Sequence, residues 1–163
     1  MIDAEKFPRK LKASFAEDVL RKGVIIHKNV EFTNPPKPKF FIVVGIDFNS
    51  NEARVVLINS EKTEFACRNP EIGDRHIEIY ARDYGFLDHK SYIDCSTVSP
   101  LELRKLLTDF VADISQYRGN LTAEHLNQVI QEINKAKTVT ARDKKLVGCD
   151  WTPQEIKKLL DSL

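Results

Sequence analysis

Two apolar, β-branched runs separated by a short polar turn constrain this chain more than any other feature. KFFIVVGID (residues 39–47) and ARVVLINS (residues 53–60) flank Asn49-Ser50-Asn51, which reads as a turn. The pair predicts a hairpin, and a hairpin returns the chain, so residue 60 is expected back beside residue 39. NPPKP precedes the first run. Prolines remove ladder donors, so this stretch is expected to stay outside the strand as an elbow. It is either a rigid entry to a buried strand or a mount that aims Lys37 at something chemical.

On both sides of the hairpin the hydrophobic period changes. Phe7, Leu11, Phe15 and Val19 recur every four residues, with Ala16 and Leu20 beside them, as on one face of an amphipathic helix. Gly23 follows Arg21-Lys22 as a helix stop. VIIH (24–27), EFACR (64–68), HIEIYA (76–81) and SYIDCS (91–96) read as further strands, the last of them closing the sheet. Five or six short strands joined by turns suggest a small twisted, barrel-like sheet.

Helices are expected again from residue 99. Ser99-Pro100-Leu101-Glu102 has the form of a capping box before the stripe Leu103, Leu106, Leu107, Phe110, Val111 and Ile114, and Gly119 is expected to break that helix. Thr122 caps the next helix, whose buried face is Leu126, Val129, Ile130 and Ile133, with Leu121 and Leu126 at staple spacing. Thr152-Pro153-Gln154-Glu155 repeats the device for a tail helix, with Trp151 and Ile156 as the staple. KTVTARDKKLVG (137–148) between the last two helices reads as a polar, mobile link. The expected organisation is one α+β domain over 1–163: an N-terminal helix (1–22), a barrel (23–98), helices (99–137), then linker and tail helix (138–163).

With 163 residues, 42% hydrophobic and 30% charged, the chain can bury one real core. No apolar run approaches the roughly 20 residues of a membrane span. The charged N-terminus lacks a signal-peptide h-region, and Cys67, Cys95 and Cys149 are odd in number and far apart. A cytoplasmic protein with reduced thiols and no membrane partner is expected. A net charge of +1 gives no global pull toward nucleic acid, although residues 1–39 hold nine Lys/Arg against five Asp/Glu. No metal-ligand spacing, P-loop, GxGxxG or GxSxG occurs, so neither metal nor cofactor is expected.

Two clusters carry chemistry. The first places Lys37 and Lys39 beside Asn59 and Ser60 at one end of the hairpin; lysine offsets phosphate charge and serine donates to phosphate oxygens. The second is DYGFLDHKSYIDCS (83–96), a loop with Asp88-His89-Lys90 at its tip between Tyr84, Phe86 and Tyr92. An Asp–His pair tunes a proton-transfer imidazole, and aromatic rings stack on bases. Each cluster has a plain alternative: a solvated lysine near a strand-ending serine, and a loop pinned by its aromatics with His89 idle.

The order of these features resembles the MazF/PemK family, the ribonuclease toxins of bacterial type II toxin–antitoxin pairs. The resemblance runs over about residues 23–137: a Gly-apolar strand (Gly23-Val24-Ile25-Ile26), Lys37-Pro38 before an apolar strand, a strand ending Asn59-Ser60, the Ser91-Tyr92-Ile93-Asp94 strand, and a Gly119-Asn120-Leu121-Thr122 helix start. It implies a small SH3-like β-barrel with added N-terminal and C-terminal helices, a homodimer, metal-independent cutting of single-stranded RNA, and neutralisation by an antitoxin protein. Lys37 stands where the family has an arginine, and Ser60 matches its hydroxyl, 22 positions after Pro38. Lys37, Ser60 and His89 are the expected catalytic residues, and Lys39, Asn59, Lys90, Tyr92 and Asp94 the expected RNA contacts. Lysine lacks the bidentate fork of arginine, and the glycine-rich first loop of the family is absent. A catalytically silent barrel of the same fold binding RNA or a protein, or an unrelated β-barrel interaction module, therefore stays open beside the enzyme.

Overall fold

The computed structural model describes residues 8–33 and 35–163; Phe7 of the first apolar stripe and Asn34 of the elbow lie outside them. Helix α1 (Arg9–Val19) lays Ala16 and Leu20 onto the sheet, and the Phe15 ring meets Phe110 and Tyr117 at centroid distances of 6.4 and 5.4 Å. Gly23 does not cap this helix, which ends at Val19. It sits in the following turn, where Val24 N–H donates to the Arg21 carbonyl and φ is +94°, a conformation that favours glycine.

Strands β1 (Val24–Val30), β2 (Lys37–Asp47) and β3 (Glu52–Asn59) form an antiparallel meander. The expected hairpin is β2–β3. The Asp47 carboxylate accepts from the Asn49 and Ser50 amides in its turn, and Asn51 takes the left-handed conformation at φ +57°. Contrary to expectation, β2 already begins at Lys37, with Pro38 paired to Asn29. The β2–β3 register ends at Phe40↔Ile58, so Pro38 has a paired strand on one side only, the edge condition in which proline is tolerated.

Residues 64–68 are helical rather than extended. Thr63 caps α2 (Glu64–Arg68) by accepting from Ala66 N–H, Glu64 and Arg68 pair one turn apart, and α3 (Pro70–Gly73) follows under an Asn69 cap. Strands β4 (His76–Ile79) and β5 (Ser91–Asp94) form as read and pair with each other, but β5 is not the last strand. The expected capping box at Ser99 is instead β6 (Ser99–Glu102), paired to the first half of β3, while β5 pairs with its second half. Helix α4 (Leu103–Ala112) is capped from across the chain: Asn51 accepts from Leu103 N–H through its carbonyl and from Arg104 N–H through its side chain, both at 3.0 Å. Gly119 does not end that helix; it lies at φ +113° in β7 (Tyr117–Asn120), which joins β1.

The result is a mixed α+β fold around a curled, antiparallel half-barrel sheet of seven strands, with the path β4-β5-β3-β2-β1-β7 and β6 beside β3. Both faces are covered. Helices α1, α4 and α7 (Pro153–Asp161) pack over Ile26, Phe41, Val43 and Val55; helices α5 (Ala123–Lys135) and α6 (Ala141–Val147) pack over Ile25, Ile42, Val44 and Val56. Thr122 and Thr152 cap α5 and α7 as read, the latter in a full capping box. The expected mobile link contains α6, whose Val147 is fully buried. It is anchored by Arg54 Nε donating to Asp143 at 2.8 Å, and it packs closely on β2: a Cβ on Gly45 would lie 3.2 Å from the Leu146 carbonyl, a tight contact. Among the described residues no helix is long and apolar enough to cross a membrane.

Candidate functional site

The site lies where β2 starts, β3 ends and the 84–91 loop crosses them. Thr33 shapes the elbow: its Oγ1 accepts from Lys37 N–H at 3.2 Å and lies within reach of the Val30 and Pro35 carbonyls. The hairpin then brings the two strand ends together, and Lys39 Nζ donates to Asn59 Oδ1 at 3.2 Å. The loop is fastened by Tyr84, whose hydroxyl accepts from Thr122 N–H at 3.2 Å and sits 2.6 Å from His125 Nδ1. Leu87 is buried beneath it, and Phe86 packs on Phe40 with centroids 4.9 Å apart.

Between these elements is a cleft of about 250 Å³. Its floor and one wall are apolar and aromatic: His27, Pro38, Phe40, Ile58, Phe86 and Leu87, with the His27 ring stacked on Phe40 at 4.2 Å. Its polar side is Lys39, Ser60, Asp88, His89 and Ser91. Neither the Ser60 hydroxyl nor the Asp88 carboxylate has a hydrogen-bond or ion-pair partner among the described residues. His89 Nδ1 lies 3.0 Å from the Lys90 carbonyl. A carbonyl only accepts, so Nδ1 is the donor of this contact, and Nε2 has no partner among the described residues.

The electrostatics suit an anion beside a neutral flat group. Burial, and then repulsion from Lys37, hold Lys39 below the ordinary lysine value. An anion at Lys39 relieves that cost. Burial, and then the Arg118 guanidinium, hold His27 below the ordinary histidine value, which keeps this wall uncharged near neutrality.

Of the residues singled out in the sequence, Ser60, His89 and Lys39 share this cleft; Lys37 is exposed and does not line it. Asp88 and His89 do not hydrogen-bond to each other; the neighbour of His89 Nδ1 is the Lys90 carbonyl. Asn59, Tyr92 and Lys90 lie on the adjoining outer surface. Asn59 faces Tyr92 across β3–β5, and Tyr92 has the Lys62 and Lys90 ammonium groups each 5.5 Å from its ring centroid. Asp94 is not in the cleft. It accepts from Ser96 N–H and Oγ at 2.9 and 2.5 Å and lies 3.6 Å from His76 Nε2, holding the end of β5 in place. Burial raises the Cys95 thiol far above the ordinary range, so it serves packing. Phe86 belongs to the aromatic group read beside the loop tip, whereas His27 and Phe40 were not singled out as site residues by sequence; the one signal for His27 is that it follows the apolar run Val24-Ile25-Ile26.

Among the described residues no group of three His, Cys, Asp or Glu side chains is arranged to hold a metal. Neither protein-family models nor curated proteins give a match to this chain.

Proposed function

We propose that this chain is an endoribonuclease of the MazF/PemK kind, cutting single-stranded RNA without a metal in the cleft between β2, β3 and the 84–91 loop. One observation carries the reading: Ser60, whose hydroxyl has no partner among the described residues, and His89 line one cleft with Lys39 beside an aromatic wall, and the Lys39 ammonium donates to Asn59 next to it. That is the inventory RNA transesterification requires. His89 Nε2 takes the proton of a ribose 2′-hydroxyl as its oxygen attacks the adjacent phosphorus. The bond from phosphorus to the 5′-oxygen breaks, and the leaving oxygen takes a proton from the imidazolium. The products are a 2′,3′-cyclic phosphate and a free 5′-hydroxyl. Lys39 and Ser60 hold the phosphate oxygens, Lys39 taking the place in the cleft that the sequence resemblance gives to Lys37. Tyr92 between Lys62 and Lys90, with Asn59, supplies a stacking and cationic surface for the flanking strand.

The same reading carries an SH3-like barrel core, a homodimer, a cytoplasmic setting and an antitoxin protein that blocks the cleft. A second reading, RNA binding without cutting, is favoured by the position of Lys37 outside the cleft and by His89 lacking a carboxylate behind its ring.

The test is incubation of purified protein with a long unstructured RNA in EDTA. Discrete cuts ending in cyclic phosphate are expected, and His89→Ala lowers the rate about 100-fold or more. Lys39→Ala lowers it at least about tenfold, against less than about threefold for Lys37→Ala. Binding with no cutting by well-folded protein selects the second reading, and no binding at all removes both.

A further inference from the structure

Asp88 is the only carboxylate among the described residues that line the cleft, and the cutting chemistry leaves it unused. It places an unpartnered carboxylate among groups that otherwise suit an anion. A carboxylate only accepts hydrogen bonds, and its two oxygens suit a partner that offers two adjacent donors. Of the four RNA bases, guanine alone offers this on its Watson–Crick edge, as N1–H beside the N2 amino group. Adenine and cytosine each set a ring-nitrogen acceptor next to one amino donor, and uracil flanks its single N–H with two carbonyls. Those lone pairs face the carboxylate and repel it.

The remaining walls agree. His27, Phe40 and Phe86 form an aromatic surface for a base, and His27 is uncharged near neutrality. At about 250 Å³ the cleft is smaller than the roughly 300–1,000 Å³ of whole small-molecule sites, which suits one base rather than an extended ligand. Lys39 and Ser60 then stand at the phosphate side of that same nucleotide. From this arrangement we infer that Asp88 selects guanine, by accepting from its N1–H and N2–H groups while the ring lies against the His27–Phe40–Phe86 wall. The inference rests on the RNA reading above and names the base that the site takes.

The experiment measures binding by fluorescence anisotropy with short single-stranded oligouridines, 2′-O-methylated throughout so that no cut occurs, each carrying G, A, C or U at one central position. Guanosine monophosphate is run beside them as a separate arm, to distinguish a site for a free nucleotide from one within a strand. The guanine oligonucleotide is expected to bind at least about fivefold more tightly than the other three. Asp88→Asn and Asp88→Ala are expected to abolish that preference. Equal binding of all four oligonucleotides overturns guanine selection while leaving the RNA reading intact, and a preference that survives both variants overturns the role of Asp88. Guanosine monophosphate binding alone overturns the strand context, and no binding of any probe removes this inference together with the reading beneath it.

Discussion

His27 shows how one half-buried titratable group ties the site to stability. Burial, then Arg118, lowers its pKa in the folded chain, so the unfolded chain binds the proton more readily. Its contribution is fully present above the ordinary histidine value of about 6.5 and is lost as pH falls through the lower folded-state value. The stability advantage of the native chain over His27→Gln is therefore expected to shrink between pH 7 and pH 5, read from urea midpoints at each pH. An advantage that grows on acidification contradicts the assignment. At this scale the sequence pointed to Ser60, His89 and Lys39, since hairpin geometry alone returns residue 60 to residue 39. Lys37 lies outside the cleft because it stands at the start of β2, beyond the last β2–β3 pair, and Asp94 does so because Ser96 and His76 engage its carboxylate; adjacency along the chain encodes neither.

Elements whose signals are local were legible. Thr122 and Thr152 cap their helices because a hydroxyl reaches amides two or three residues on. The start of α4 was read from Ser99-Pro100, yet the chain pairs that stretch with β3 and takes its cap from Asn51, a residue distant in sequence. Helix α6 was hidden for the same reason. Its polar sequence reads as a link until Arg54, buried in β3, meets Asp143. Removing one partner of a largely buried pair leaves the other charge uncompensated. Arg54→Ala is expected to destabilise the fold by about 3 kcal/mol, measured by urea unfolding, and to raise amide exchange first in α6. Unchanged exchange in α6 rules out the anchor.

At the scale of the molecule the sheet is a partition between two cores, each roofed by helices from distant parts of the chain. The N-terminal and tail helices are thereby structural, since α1 and α7 close the same core and Trp151 Nε1 donates to the Leu20 carbonyl at 2.8 Å. A chain beginning at Gly23 loses the burial of Leu20 and Phe15 at about 1.5–3 kcal/mol for each large side chain. It is expected to unfold at markedly lower urea and to show a red-shifted emission of its single tryptophan. Equal stability refutes a structural role for α1.

What the sequence by itself determined are the features that depend on near neighbours: the α5 and α7 stripes, the Phe15, Ala16, Val19 and Leu20 part of the α1 stripe, whose Leu11 is exposed, the β2–β3 hairpin with its turn, and the return of Ser60 to Lys39. Period, capping and turn chemistry act over a few residues, so they can be read from a few residues. Only the tertiary structure decided that residues 99–102 are a strand, that 141–147 are a helix, and that His27, Phe40, Phe86 and Asp88 enclose the cleft with His89. Those outcomes depend on buried contacts between segments far apart in the chain, whose packing outweighs weak local preference.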